Sequence, residues 1–179
     1  MNAAFYGCEN LQILATDVPD VSKVTNMGYM FAGASSVNSD LSNRDVSKVT
    51  NMGNMFREAS SFNGSLNGRN TISLTGNGMV QMFEGASSFN QPVNHFITNN
   101  VTSLSRVFWK ASSFNQPVNN WNIDKVTSLR ATFAYAEHFN QPLHNRNVSQ
   151  VTNMGYLFQR TSFNQDINNW VVDAVTLME

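Results

Sequence analysis

Apolar side chains return along this chain in one fixed order. Phe31, Phe56, Phe83, Phe108, Phe133 and Phe158 recur at steps of 25, 27, 25, 25 and 25 residues. A second landmark follows each by six residues at Phe62, Phe89, Phe114 and Phe139, with Val37 in the first of these units and Phe163 one residue early. Four further on comes an aliphatic: Leu41, Leu66, Val93, Val118, Leu143 and Ile167. Three beyond that stands Trp121 or Trp170, replaced elsewhere by Arg44, Arg69, Phe96 and Arg146. A unit of this size cannot bury its apolar face alone, so such repeats stack, each covering its neighbour.

Two periods within a unit predict two elements. Val126, Leu129, Phe133 and Ala136 step by three, four and three, the spacing of one helical face. Val118, Trp121 and Ile123 end in the alternation of a half-buried strand. Ser22, Ser47, Ser149 and Asp124 precede the expected helix as caps, and Pro92, Pro117 and Pro142 stand where no ladder donor is needed. The expectation is an α/β repeat with a short-stranded parallel sheet on one face and short helices on the other. Two extra residues before Met79 and one missing near Thr161 fall to loops, so the coil from Gly68 to Gly78 should bulge while the Phe positions keep register.

Composition narrows the partners. A formal net charge of −1 with 13% charged residues gives no attraction to nucleic acid or an anionic membrane. Polarity comes from Asn, Ser, Thr and Gln, and 41% apolar residues suffice for a core. No stretch is long and apolar enough to span a membrane, and Met1 to Phe5 lacks the character of a signal peptide. Cys8 stands alone, so no internal disulfide is expected. The last copy breaks off in mid-unit at Val175 to Glu179; residues 1–179 are expected to be one domain of about seven repeats, a fragment of a longer protein.

Reaction chemistry finds little support. His95, His138 and His144 lack zinc-ligand spacing, and no calcium loop, nucleophile elbow, phosphate loop or dinucleotide fingerprint occurs. No enzyme, metal or cofactor is expected. The Asn38, Asn63, Asn90, Asn115, Asn140 and Asn164 row reads as an internal ladder, and the Met residues as core filler. Thr25, Thr50, Thr102, Thr127 and Thr152 read as helix caps rather than an ice-ordering array. The outward positions flanking each expected strand remain as candidate binding residues: Asn43 and Asp45; Asn120, Asn122 and Asp124; Asn145 and Asn147; Asn169 and Asp173. Arg44, Arg69 and Arg146 are expected to snorkel from the sheet edge towards acids such as Asp45.

Ala4-Phe5-x-x-Cys8-x-x-Leu11-x-Ile13 resembles the signature of the BspA-like branch of the leucine-rich repeats. Phe5, Cys8 and Leu11 align with Phe31, Ala34 and Val37 at a uniform offset of 26. The downstream units, with Val49-Thr50-Asn51-Met52, Met55-Phe56 and Ala59-x-x-Phe62-Asn63, resemble the 25-residue repeat of bacterial surface proteins and lipoproteins. That resemblance implies a leucine-rich-repeat-type solenoid on a cell-surface or secreted protein. It implies adhesion to a protein or glycan of a host or neighbouring cell through the strand face, or else service as a structural stalk or an effector's binding module.

Overall fold

The computed structural model describes residues 1–14, 17–42 and 44–178. Successive units lie over one another in register, joined by backbone hydrogen bonds between residues 24 to 28 apart in sequence. The expected architecture needs correction. Among the described residues there is no helix, and the named strands are only β1 (Thr75–Gly76) and β2 (Asn100–Val101), paired parallel. Isolated parallel bridges join Asn26 to Asn51, Ser103 to Ser128, Ser128 to Asn153 and Asn153 to Leu177. The chain is therefore not the α/β solenoid of a leucine-rich repeat, with helices facing a sheet. Nor does Trp121 to Ile123 form a strand; parallel pairing falls in the first residues of the segment expected to be helical, as at Ser128.

The backbone of that segment explains the absence of a helix. Left-handed φ values, 53° to 73°, occur at Tyr29, Asn54, Gln81, Arg106, Ala131 and Tyr156, and again four residues later at Gly33, Glu58, Gly85, Lys110, Tyr135 and Arg160. Adjacent N–H groups then point alternately inward along the coil and across to the next one. The N–H groups of Met82, Glu84 and Ala86 donate to the carbonyls of Met79, Gln81 and Phe83, three residues back. Between them Gln81, Phe83 and Gly85 donate to Ser105, Val107 and Trp109 of the following coil. An α-helix keeps all such bonds within itself. Here half of them build the stack, and the overlapping four-residue turns reproduce the three-four-three apolar spacing.

Two Phe columns fill the interior. Phe5, Phe31, Phe56, Phe83, Phe108, Phe133 and Phe158 stack with centroids 5.5 to 6.0 Å apart. Phe62, Phe89, Phe114, Phe139 and Phe163 form the second column at 5.8 to 6.1 Å. Rings of one coil face each other across the columns at 3.7 to 4.0 Å. The stacked pair Phe5 and Phe31 bears out their alignment at an offset of 26. Register also survives both irregular units: Phe56 and Phe83 remain parallel within 4°, and the two extra residues fold into a Thr75-to-Gly78 turn. Phe158 and Phe163 keep their contact despite the missing residue.

The mixed Trp, Arg and Phe column has a single structural task. Trp121 Nε1 donates to the Val93 carbonyl at 2.9 Å, Trp170 Nε1 to Leu143 at 3.0 Å, and Arg69 Nη2 to Leu41 at 2.8 Å. Arg146 reaches Val118 through Nη2 and Trp121 through Nη1. Where Phe96 has no donor, adjacent His95 places Nε2 3.1 Å from the Leu66 carbonyl and, protonated there, donates to it. The carbonyl of each aliphatic landmark from Leu41 to Leu143 thus meets a side-chain nitrogen of the next coil. Arg69 and Arg146 accordingly turn inward to carbonyls, and Arg44 donates to the Asp40 carbonyl of its own coil at 3.5 Å, rather than meeting Asp45 as a snorkelling reading expects.

Phe108 is fully buried in contact with both columns, so Phe108→Ala should cost about 3–5 kcal/mol in denaturant unfolding. A loss below about 1 kcal/mol would contradict that packing. Glu58, exposed and left-handed, offers a test of sign. Glu58→Gly should leave stability unchanged or raise it by up to about 1 kcal/mol, whereas a helix interior would lose about that amount.

Candidate functional site

Of the residues expected to bind, Asn43 lies outside the described residues. The others, Asp45, Asn120, Asn122, Asp124, Asn145, Asn147, Asn169 and Asp173, are all exposed. Several are engaged in closing turns. Oδ1 of Asp45, Asn122 and Asn147 accepts the N–H two residues on, from Ser47, Asp124 and Ser149, at 3.0, 2.8 and 3.2 Å. Such turns are what short Asx side chains do locally, with or without a ligand. Asn147 Nδ2 also donates to Asp124 Oδ1 at 2.9 Å, and Asn120 gives its backbone N–H to Asn94 Oδ1 at 2.7 Å. Asp45 is held below the ordinary carboxylate range by hydrogen bonds from the Ser47 hydroxyl and backbone; Asp20 and Asp40 are lowered likewise by Ser22 and Ser42.

The Asn row forms the expected ladder, in a particular way. Oδ1 of Asn38, Asn63, Asn90, Asn115 and Asn140 accepts the backbone N–H of the next Asn in the row at 2.8 to 3.1 Å. From the second coil on, Gln91, Gln116, Gln141 and Gln165 add an Nε2 donor to the same oxygen. The Thr row, expected to cap helices, instead carries parallel pairing: Thr50, Thr127, Thr152 and Thr176 donate both N–H and hydroxyl to the Thr one coil back.

A different surface gathers chemistry suited to recognition. Trp109 and Tyr135 meet edge to face at 6.3 Å, and Tyr156 lies beside them. Cations ride on these rings: Arg106 and Lys110 over Trp109 at 5.3 and 4.3 Å, Arg160 over Tyr135 at 5.5 Å, Arg130 over Tyr156 at 5.6 Å. Arg106, Trp109, Arg130, Tyr135 and Tyr156 line an open depression of about 340 Å³ whose lining includes no acidic side chain among the described residues, and Lys110 and Arg160 flank it through the rings they cover. The left-handed backbone places them: Arg106, Lys110, Tyr135, Tyr156 and Arg160 all occupy those φ positions, which turn their side chains out of the core. The acid in the slot equivalent to Trp109 one coil back, Glu84, is 1% exposed and consumed by Arg57 at 2.9 Å and Gln81 at 2.7 Å. Sequence reasoning passed over this cluster because its residues sit between the repeated landmarks and differ from coil to coil. The one available signal was a run of Arg, Trp, Tyr and Lys in the outward slots of residues 106–160.

The family model described as Mycoplasma protein of unknown function, DUF285, matches residues 1–102 and again 77–179. No curated protein and no solved structure matches the chain.

The Asx turns predict a titration. A carboxylate with a lowered folded pKa stabilises the fold fully above its unfolded value of about 3.9, and that share is lost as pH falls through the folded value. Carboxyl-carbon NMR should therefore give Asp45 a midpoint below about 3.9, rising towards it in Ser47→Ala. An ordinary midpoint in the unmodified protein would remove the hydrogen bonds from the account.

Proposed function

We propose a function for this chain, which belongs to the family of Mycoplasma proteins of unknown function DUF285: a non-catalytic recognition module that holds an acidic glycan at the Trp109 depression. The observation that carries it is the convergence of three aromatic rings and two cations, Arg106 and Arg130, at one depression, with Lys110 and Arg160 over the same rings, on a chain whose net charge is −1. Aromatic faces accept the apolar C–H face of a sugar ring, and the planar guanidinium fork suits carboxylate or sulfate oxygens. A cell-surface or secreted setting follows from the resemblance to surface-protein repeats and suits such a ligand. Larger arrays of the repeat would add avidity without new contacts.

The spacer reading draws on one observation, that the Asn38-to-Asn164 row is spent on joining coils. One experiment separates the two. An array of neutral, sialylated and sulfated oligosaccharides should show acidic members bound, with affinity falling as salt rises. Trp109→Ala and Arg130→Ala should each weaken binding about tenfold, while Asn122→Ala and Asn147→Ala leave it intact. Silence across the array supports the spacer, and binding lost only in the Asn variants moves the surface to the polar strip.

A further inference from the structure

The guanidinium of Arg69 is buried, 3% exposed, yet only partly partnered. Nη2 donates to the Leu41 carbonyl, while Nε and Nη1 have no hydrogen-bond partner. Arg146 occupies the equivalent slot three positions along the same column and uses both terminal nitrogens on carbonyls. The difference lies in what adjoins each. Arg69 lines a cavity of about 230 Å³ walled by Phe5, Ile13, Met27, Met30 and Phe31, whereas the apolar space beside Arg146 is about 40 Å³ and its other neighbouring space, about 160 Å³, is lined by polar Asn119, His144 and Asn145. A second cation, Arg44, stands where other coils carry Trp and leaves that volume unfilled; one acid, Asp17, also lines the space, so the lining charge is positive. Burial lowers the Arg69 pKa to about 10, with Arg44 pushing the same way, so the group stays charged at neutral pH.

A buried donor left unmade is costly, and a charged one more so. An apolar cavity of roughly 150 Å³ holds a benzene-sized guest, so this one accommodates a tail of about eight carbons. We propose that the cavity between the first coils binds a monocarboxylate with an apolar tail, its carboxylate paired with Arg69 and its tail against Met27, Met30 and Phe31. The site lies in different coils from the Trp109 depression and does not depend on the glycan reading. Arg44 completes the anion's electrostatic surroundings from the side where the Trp column is interrupted.

Titration calorimetry with sodium octanoate and with octanol tests this. The unmodified protein should bind octanoate saturably at one site, and octanol about tenfold more weakly or worse. Arg69→Leu should lose octanoate binding while remaining folded, because removing a buried charge that has no counter-ion offsets the loss of its one hydrogen bond to the Leu41 carbonyl. Met30→Trp, which fills the cavity and leaves Arg69 in place, should lose it too and keeps the test decisive if Arg69→Leu misfolds. Absence of saturable octanoate binding, equal binding of octanol, or binding that survives Met30→Trp would overturn the proposal.

Discussion

Everything in this protein depends on the alternation of backbone N–H groups between their own coil and the next. A coil of 25 residues has too few contacts of its own to repay the entropy of ordering it. By turning every second N–H across to the neighbour, the segment from Met79 to Ala86 and its equivalents become the seam that holds coils in register. Left-handed residues are the cost. Two per coil, mostly not glycine, sit in a region that L-residues avoid by roughly 1–2 kcal/mol each. They persist because each one directs a hydrogen bond that the stack needs.

That seam sets the side-chain ladders. Coils related by so regular an offset bring like residues over like, so Phe stacks on Phe and Asn Oδ1 meets the next Asn's N–H. The same logic makes Trp121, Arg69, Arg146 and His95 equivalent: each supplies a nitrogen to the carbonyl of the aliphatic landmark one coil back. A substitution that looks radical as chemistry is conservative as hydrogen bonding. Arg69 is the instructive case, since a guanidinium brings more donors than one carbonyl can take.

Much of this was legible in the sequence. The unit length, the Phe positions, the Asn row and the alignment of Phe5 with Phe31 all followed from spacing, because period and burial determine them directly. That the segment from Val126 to Ala136 is a run of turns and not a helix was not legible in the same way. Steps of three and four from Val126 to Ala136 are produced both by a helix and by overlapping turns, and only the φ signs distinguish them. Gly33 and Gly85, with Asn54, stood at those positions as faint signals amid Glu58, Lys110 and Tyr135. Parallel pairing hid in Thr50-Asn51 and its equivalents, where a capping reading was equally natural. The Trp109 cluster escaped because a search for repeated residues looks away from unrepeated ones.

Scalar couplings through hydrogen bonds test the alternation directly. The amide of Phe83 should couple to the carbonyl carbon of Val107, one coil on, while neighbouring Met82 and Glu84 couple to Met79 and Gln81. Coupling of Phe83 instead to the carbonyl of Met79, four residues back, would restore the helix and contradict the account.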